Sequence, residues 1–400
     1  MNIVKRIYSR AYQRALYIAY PLLPYREPEL IENKSEGIPL ILEKEGKHHP
    51  MIVTDKGIVE HGLLKPLFEI LDKAGIKYTL FDKVEQNPTT DTVENALTLF
   101  KASSSDSLIA LGGGSSMDTA KALGARYAMP RKSLKQMKGI LKVYKKLPLL
   151  IAIPTTAGTG SEATLAAVIV DSATREKYAI SSFPLIPRYA VLDPVYTYSL
   201  PKSLTATTGL DALTHAIEAY IGKSNFKLTR MEAKVAVRLI FQNIEKAYEN
   251  GNDPKARKNM LRASYLAGCA FTRSYVGYVH ALSHAMSGKY NTPHGKANAI
   301  LLPYVLEEYG EAIYKKLKKL AIAINISDEL EDEKTAAMKF IDEIKRLNRE
   351  MNIPEKFEEL KKEDIKELSK HAEREANPLY PVPVLWTAKE LEKIYNRVLA

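Results

Sequence analysis

Hydrophobic residues recur along this chain in two different patterns, one on each side of residue 200. Before that point, short runs rich in Val, Ile and Leu alternate with amphipathic stretches, a pattern that predicts parallel strands joined by crossover helices. The predicted strands lie at residues 51–54, 77–81, 107–111, 149–153, 165–170, 178–181 and 190–192. Helices are predicted at residues 62–74 and 92–102, and from residue 203 onward nearly every stretch has helical periodicity.

These patterns predict a two-part fold of the α/β plus all-α class. We expect an N-terminal basic amphipathic extension and lead-in at residues 1–47, an α/β domain at residues 48–200 and an all-helical domain at residues 201–400. A length of 400 residues is also more than one small hydrophobic core usually serves.

Composition narrows the class of protein. Apolar residues make up 46% of the chain and charged residues 26%, which is typical of a globular protein. No apolar run is long enough for a membrane-spanning helix. The single cysteine, Cys269, excludes a disulfide framework and a cysteine-based zinc site, and it favours a reducing, cytoplasmic location.

The net charge of +11 is concentrated in two segments. Residues 1–20 contribute +4 and residues 131–146 contribute +7, and neither segment contains an acidic residue. The remaining residues balance at zero, and the chain has no zinc-finger spacing and no aromatic ribonucleoprotein motif. We therefore expect no nucleic-acid partner.

Two loops rich in small residues follow predicted strands. The first contains Gly113, Gly114 and Ser115, and the second, at residues 155–161, contains three threonines and two glycines. Backbone N–H groups at a glycine-rich helix start suit a pyrophosphate, and loops after adjacent parallel strands converge at one sheet edge. The pattern differs from the GxGxxG fingerprint, and a flexible turn explains the glycines alone equally well.

Asp55 ends the first predicted strand, where two roles are open to it. It can cap a turn or helix, or its carboxylate can accept hydrogen bonds from an adenosine ribose. In the second role it repels a 2′-phosphate, and NAD(H) is then favoured over NADP(H).

The histidines carry the most specific signal in the chain. Asp211 and His215 are four residues apart, as are His280 and His284, and His294 follows closely. Residues at this spacing share a helix face, and their neighbours here are small or apolar. Buried imidazoles and a carboxylate need hydrogen-bond partners or a metal. Mixed nitrogen and oxygen ligands suit Fe(II), with Zn(II) as an alternative.

The chain resembles the iron-containing (group III) alcohol dehydrogenase family, in particular its lactaldehyde reductase, 1,3-propanediol and butanol dehydrogenase branch. The resemblance covers about residues 48–400 and rests on five motifs in family order. They are IVTDKG at 52–57, ALGGGSSMD at 110–118, IPTTAGTGSE at 153–162, TGLDALTHAIE at 208–218 and the histidine segment 279–295.

The resemblance implies a Rossmann-like dinucleotide-binding domain, a helical metal-binding domain and an active site in the cleft between them. It implies metal-dependent, NAD(P)-dependent hydride transfer between a small primary alcohol or diol and its aldehyde. The implied metal ligands are Asp211, His215, His280 and His294, and His284 is the implied proton relay. The implied cofactor contacts are Gly113, Gly114, Ser115, Asp118, Thr155, Thr156, Thr159, Asn87 and Lys177.

Two other functions are weaker interpretations of the same residues. A metal- and NAD-dependent lyase resembling dehydroquinate synthase predicts clustered Lys and Arg around the metal, whereas only Lys289 and Lys296 are near the histidines in sequence. A non-catalytic protein on the same fold does not account for the full set of implied ligands.

Residues 1–25 lie outside the resemblance. Their apolar residues form a helical stripe, with Lys5, Arg6, Arg10 and Arg14 largely opposite and Pro21 and Pro24 predicted to end the helix. The favoured interpretation is that the stripe packs on the enzyme or on a second subunit of a homodimer, with the cations in water. The alternatives are an anionic membrane surface and an organelle-targeting segment.

Overall fold

The structure, a computed structural model, describes residues 3–19 and 23–400. Its contacts divide the chain into two compact units, one of which is Pro24–Leu200. The other joins Pro201–Ala400 to the described residues up to Leu23. By their contacts, residues 24–47 group with the α/β unit and the first helix groups with the helical unit. Pro21 lies outside the described residues.

The α/β unit contains a sheet of six parallel strands. They are β1 (Glu29–Glu32), β2 (Pro50–Asp55), β3 (Thr79–Val84), β4 (Ser107–Gly112), β6 (Leu149–Pro154) and β9 (Tyr189–Leu192). Their order in space is β1-β9-β6-β4-β2-β3. The strands β4 and β6 are direct neighbours, in register from Ser107 beside Leu149 to Gly112 beside Pro154.

Both faces of this sheet are covered, as expected when crossover helices connect parallel strands. Met51 and Val53 of β2 point into one hydrophobic cluster, and Ile52 points into the cluster on the other face. The helices of the unit are α2 (Ile38–Lys44), α3 (Lys56–Glu60), α4 (Lys65–Lys73), α5 (Thr90–Ala102), α6 (Gly114–Ala128) and α7 (Leu134–Met137).

A second, three-stranded sheet in the same unit has the order β5-β8-β7. Its strands are β5 (Gly139–Ile140), β7 (Ala166–Val170) and β8 (Lys177–Ser181), and β7 runs antiparallel to β8. The pattern predicted parallel strands and did not indicate this second sheet or its antiparallel pair. The sequence pattern also missed the elements β1, β5, α2, α3 and α7, and it placed the start of β3 two residues too early.

The second unit is built from helices, as predicted. They are α1 (Ile3–Ala19), α8 (Lys202–Ile221), α9 (Lys227–Glu249), α10 (Pro254–Ser274), α11 (Tyr278–Tyr290), α12 (His294–Tyr309), α13 (Tyr314–Ala323), α14 (Glu333–Glu350), α15 (Ile365–Ala376) and α16 (Ala388–Arg397). The predicted fold class, a parallel α/β domain followed by an all-helical domain, is confirmed.

Helix α1 attaches to its unit by the side opposite to the one predicted. Its polar residues Ser9 and Gln13 are buried, whereas Ile3, Val4 and Ile7 are among its most exposed side chains. The apolar stripe therefore does not pack on its own chain, and its packing on a second subunit stays a prediction.

The polar side of α1 binds backbone carbonyl groups. Gln13 Nε2 donates to the Tyr380 and Pro378 carbonyls at 2.6 and 3.1 Å. Arg10 donates from Nη1 and Nη2 to the Val382 and Pro383 carbonyls at 2.7 and 2.9 Å. These hydrogen bonds, one buried and three partly buried, take the place of the apolar contact that the periodicity suggested.

Among the described residues, none of the helices has both the length and the apolar character that crossing a lipid bilayer requires.

Candidate metal centre and cofactor-binding edge

Three helices of the helical unit bring the predicted ligands together. Asp211 and His215 lie on α8, His280 on α11, and His294 is the first residue of α12. Each offers one oxygen or nitrogen atom, and these four atoms all lie within 4.8 Å of one another. The four residues that the family resemblance implies as ligands, drawn from separate stretches of the chain, thus converge on one point.

A close backbone contact sets the position of His294. Gly295 lies so near α8 that a Cβ built on it falls 2.4 Å from the carbonyl oxygen of Thr207, which leaves room only for glycine. Because His294 precedes Gly295, this contact brings its ring to α8. The His294 Nε2 atom is 3.5 Å from Asp211 Oδ1.

The centre is buried on most sides. Asp211, His215 and His280 are each at most 5% exposed, whereas the His294 side chain is 32% exposed. Burial, reinforced by the neighbouring imidazoles of His215, His294 and His284, holds the pKa of His280 well below its ordinary value. A neutral imidazole keeps the lone pair that a metal ligand needs.

Glu218 is a site residue that was not predicted from the sequence. Its Oε2 atom lies 2.6 Å from His280 Nδ1 and accepts from the Gly277 N–H at 2.7 Å, and its Oε1 accepts from the Val279 N–H at 2.8 Å. Burial raises the pKa of Glu218 to about 8, against the opposing effect of these N–H groups. The signal was available, because Asp211, His215 and Glu218 follow the i, i+4, i+7 spacing of one helix face.

The amide of Asn298, also not predicted, lies among the candidate ligand atoms. Its Nδ2 atom donates to Asp211 Oδ1 at 2.7 Å and lies 3.1 and 3.3 Å from the Nε2 atoms of His294 and His280. Asn298 is four residues after His294 on α12, so helical spacing could have identified it.

The donor set fits a divalent transition metal. Three imidazoles and one carboxylate meet in a buried space, and Glu218 and Ser283 Oγ contact the Nδ1 atoms of His280 and His294 at 2.6 and 3.2 Å. Partners on the outer nitrogen are typical of metal-binding histidines. This set suits Fe(II) or Zn(II).

His284 faces a different set of groups. Its Nδ1 atom lies 2.5 Å from Glu375 Oε1, and the Tyr380 hydroxyl donates to the same carboxylate oxygen at 2.7 Å. The His284 ring stacks on that of His294 with 5.0 Å between centroids, and its side chain is 41% exposed. Glu375 and Tyr380 lie about 90 residues after His284 with no recognisable spacing, so no sequence signal pointed to this contact.

The electrostatics of Glu375 favour a charged carboxylate. Burial acts to raise its pKa, but His284 and the hydrogen bonds from His284 and Tyr380 outweigh burial and lower it. A carboxylate beside an imidazole that is partly open to solvent is a group able to orient that ring and to stabilise its protonated form.

In the α/β unit, the two small-residue loops meet as predicted at the carboxyl ends of β4 and β6. The Thr155 N–H donates to the Gly112 carbonyl at 3.0 Å. A Cβ on Gly113 would lie 3.6 Å from Thr156 Oγ1, and one on Gly114 would lie 3.1 Å from Thr159 Cγ2. Helix α6 begins at Gly114, so the N–H groups of its first turn, including that of Ser115, lie at this edge.

A buried lysine behind the loops holds them in place. Lys121 of α6 is fully buried, and five oxygen atoms lie within 3.0 Å of its Nζ: the carbonyl oxygens of Ser161, Thr164 and Ala166 and the hydroxyls of Ser161 and Thr164. Burial lowers the pKa of Lys121 to about 8, while Asp118 and Glu162 act in the opposite direction. Lys121 was not among the residues predicted to have a role.

The other predicted cofactor residues have partners within the unit. Asp118 accepts from Ser161 Oγ and from the Val168 N–H, both at 3.1 Å, so its visible contacts hold the second loop and β7. Lys177 Nζ donates to Asn87 Oδ1 at 2.7 Å. Their contact with a cofactor stays a prediction.

Asp55 caps a helix, the first of the two roles open to it. Its Oδ1 atom accepts from the Ile58 N–H at 3.0 Å and so caps α3. Its other carboxylate oxygen would lie 3.8 Å from a Cβ on Gly112, next to the first loop. The role of Asp55 in ribose binding stays a prediction.

Comparisons with known proteins agree with this arrangement. Residues 31–194 match the iron-containing alcohol dehydrogenase family, and residues 205–399 match the C-terminal domain of the Fe-containing alcohol dehydrogenase family. Alcohol dehydrogenase 4 of Saccharomyces cerevisiae is 38% identical over 87% of this chain and 90% of its own length. The NAD-dependent methanol dehydrogenase of Bacillus methanolicus is 36% identical over 83% of this chain and 87% of its own length.

A solved structure extends the agreement to the backbone. The crystal structure of a 1,3-propanediol oxidoreductase superposes with a TM-score of 0.90 at 33% identity, covering 94% of this chain and 99% of that one. None of these relatives supports the lyase interpretation. Lys289, one of the two basic residues near the histidines, is paired with Asp364 and Glu367. The chain belongs to the iron-containing alcohol dehydrogenase family.

Proposed function

We propose that this enzyme interconverts a small primary alcohol or diol and its aldehyde, with NAD(H) as the preferred dinucleotide. His284 is the proposed proton relay. The proposed ligands of a divalent metal are Asp211, His215, His280 and His294. The convergence of four ligand atoms within 4.8 Å carries the proposal. A metal bound there supplies Lewis acidity to the substrate oxygen, and Fe(II) is the proposed ion.

The residues around the ligands fix their orientation. Glu218 accepts at His280 Nδ1 and thereby turns Nε2 of that ring toward Asp211, 4.0 Å away. Ser283 Oγ has the same relation to His294 Nδ1 at 3.2 Å. Both contacts favour the tautomer whose lone pair faces the other ligands.

The proposed proton path begins at His284. Its ring stacks on His294, its outer nitrogen meets Glu375, and the side chain is partly exposed to solvent. Glu375 orients the ring and stabilises its positive charge when His284 takes up the alcohol proton. The hydroxyl of Tyr380 holds the Glu375 carboxylate in place.

For the dinucleotide, we propose that the first turn of α6 and the loop at residues 155–161 receive the pyrophosphate. Gly113, Gly114 and Ser115, with Thr155, Thr156 and Thr159, supply N–H and hydroxyl groups at this edge. The nicotinamide supplies or accepts the hydride. The NAD dependence of the methanol dehydrogenase relative and the carboxylate of Asp55 support NAD(H) as the preferred form.

We also propose a homodimer in the cytoplasm. Strand β1 has a neighbour on one side only, and such an edge offers backbone groups to a second copy. The single cysteine, Cys269, is buried and suits a reducing compartment. Light scattering of the purified enzyme tests the dimer.

The decisive experiment separates metal ligand from proton relay. After reconstitution with Fe(II) or Zn(II), metal content and NADH-dependent reduction of C2–C6 aldehydes are measured for His294→Ala and His284→Ala. We expect His294→Ala to lose most of its metal and more than about a thousandfold in kcat/KM, equivalent to about 4 kcal/mol. We expect His284→Ala to retain its metal and to lose about 10²-fold or more in kcat.

The matched control is His371→Ala, which removes an exposed histidine elsewhere in the helical unit and should change neither quantity. If His284→Ala loses metal as completely as His294→Ala, the division into ligands and relay is wrong. A His294→Ala variant that keeps full metal content excludes the proposed ligand set.

A further inference from the structure

The outward side of α1 is an apolar surface that the rest of the described chain leaves uncovered. Because Gln13 and Arg10 attach the helix by its polar side, the opposite side faces away from the unit. The exposed apolar side chains there are Ile3, Val4, Ile7, Tyr8, Ala11, Ala15 and Ile18. The five largest are between 59% and 73% exposed, and a helix of 17 residues extends this stripe over about 25 Å.

The apolar surface continues onto the start of α9. Tyr17 of α1 stacks on Phe226, with 4.5 Å between ring centroids, and Phe226 directly precedes α9. The first turns of α9 expose Leu228 and Met231. We call this combined region, the outward side of α1 with residues 226–231, the α1 surface.

The two segments that form the α1 surface and adjoin it in sequence carry several exposed cations and no exposed carboxylate. Residues 3–19 and 223–244 contain one acidic residue, Glu232, and it is buried in an ion pair with Arg273. The exposed cations of the same segments are Lys5, Arg6, Arg14, Lys223, Lys227, Arg230, Lys234 and Arg238. An apolar stripe with cations and no exposed carboxylate is the chemistry that binds at the interface of an anionic lipid bilayer.

We propose that the α1 surface binds peripherally to the face of an anionic lipid bilayer. The outward side chains Ile7 and Ile18 enter the boundary between headgroups and acyl chains, while the surrounding Lys and Arg side chains meet anionic headgroups. The helix lies in the plane of the membrane and does not cross it, in keeping with the length and polarity of the described helices.

A second copy of the chain that presents its own α1 surface is a poorer occupant on electrostatic grounds. Placing two α1 surfaces against each other brings their cations together, and neither surface offers an exposed acidic residue to neutralise them. Like charges brought together in this way oppose association. A lipid surface supplies the opposite charge and the apolar phase at the same time.

The test is co-sedimentation of the full chain with vesicles of three parts phosphatidylcholine to one part phosphatidylserine, at physiological salt. Vesicles of phosphatidylcholine alone measure the contribution of charge. The double variant Ile7→Asp/Ile18→Asp places two carboxylates on the outward side and leaves the residues that hold α1 untouched. A second double variant, Arg6→Glu/Arg14→Glu, keeps the apolar stripe and reverses two charges.

We expect wild type to bind the anionic vesicles and both double variants to bind them at least about tenfold more weakly. Binding to phosphatidylcholine alone should be at least several-fold weaker than to the anionic vesicles. The matched control, Leu40→Asp/Leu330→Asp, makes the same charge change at two exposed leucines outside the α1 surface and should bind like wild type. Circular dichroism verifies that each variant is folded.

Wild type that stays in the supernatant overturns the proposal, and so does equal binding by wild type and Ile7→Asp/Ile18→Asp. If light scattering shows that wild type is a dimer and Ile7→Asp/Ile18→Asp is a monomer, the α1 surface is an interface between copies and the membrane proposal is wrong. The test does not involve the metal or the dinucleotide, so its result is independent of the proposed catalytic roles.

Discussion

The α/β unit and the helical unit each bury a cluster of polar side chains, but only the cluster in the α/β unit contains a lysine. In the α/β unit, the ammonium group of Lys121 lies among five oxygens, with Asp118 and Glu162 nearby. In the helical unit, three imidazoles and Asp211 converge with Asn298 at their centre, and the group has no lysine or arginine of its own. The first cluster contains its own cation, whereas the second consists of imidazole and carboxylate groups to which a cation could be added.

This difference explains why the two clusters serve different purposes. Lys121 is part of the chain itself, and its hydrogen bonds to Ser161, Thr164 and Ala166 hold the end of the loop that follows β6. The proposed metal would add stability to the second cluster, because a ligand that binds the folded state and not the unfolded state stabilises the folded state. The two clusters should therefore respond differently to mutation and to metal removal.

The largest expected effect comes from Lys121→Met, which removes the positive charge and nearly preserves the side-chain volume. Asp118 and Glu162 are left buried without their cation, and several oxygens lose a donor. We expect the free energy of unfolding to fall by about 3–5 kcal/mol. Urea unfolding followed by circular dichroism measures this, with exposed Lys101→Met as a control expected to stay within about 0.5 kcal/mol of wild type.

The fluorescence of the single tryptophan helps to show which unit Lys121→Met destabilises. Trp386 belongs to the helical unit, so its fluorescence follows the unfolding of that unit. If the scaffold role of Lys121 is correct, removal of metal with a chelator changes the Trp386 transition and leaves the destabilisation by Lys121→Met unchanged. A Lys121→Met protein with wild-type stability would contradict the comparison.

An intermediate effect is expected from Gly295→Ala. The added Cβ meets the Thr207 carbonyl at 2.4 Å, so α12 has to move away from α8 and His294 moves with it. We expect a loss of about 1–3 kcal/mol in unfolding free energy and a weaker metal affinity, measured by competition with a chelator.

The control for this change lies on a neighbouring helix of the same site. Gly288 of α11 borders open space, with no heavy atom within 4 Å of an added Cβ. Gly288→Ala should therefore stabilise the protein by about 0.5–1 kcal/mol and leave metal affinity unchanged. Equal effects of the two substitutions would show that the contact between α8 and α12 does not shape the metal centre.

The smallest expected effect concerns the dinucleotide. Asp55→Asn removes the charge but keeps an oxygen to cap α3, so stability should change little. Without the carboxylate, the ratio of kcat/KM for NADPH to that for NADH should rise about tenfold, or about 1.4 kcal/mol. Asp91→Asn, at an exposed position in α5, is the control. A wild type that already prefers NADPH would contradict the proposed role of Asp55.

The central strands and the ligand helices could be predicted because their signals are local. The strands β2, β4 and β6 are buried on both faces and are therefore almost continuously apolar, and the ligand spacing follows from helix geometry. Strand β1, by contrast, contains two glutamates and is held by pairing with β9, about 160 residues away. Its residues alone carry little indication of that pairing.

The orientation of α1 could not be predicted for a related reason. Periodicity identifies an apolar side and suggests that this side is buried. Here the burial is decided by Gln13 and Arg10, whose acceptors are backbone carbonyls that any sequence provides. The contacts of His284 with Glu375 and of Glu375 with Tyr380 could not be predicted for the same reason, because contacts between distant segments leave no recognisable spacing in the sequence.

Because α1 is attached by one side only, we expect natural selection to act differently on substitutions at its two sides. The inner side reaches Tyr380 through Gln13, and the Tyr380 hydroxyl contacts Glu375, the partner of His284. We expect a substitution at Gln13 to act through Tyr380 and Glu375 on His284, the proposed proton relay, although Gln13 and His284 are far apart in the chain. The outward side has no such connection among the described residues, so evolution can alter it to suit a new surface while the enzyme's rate is preserved.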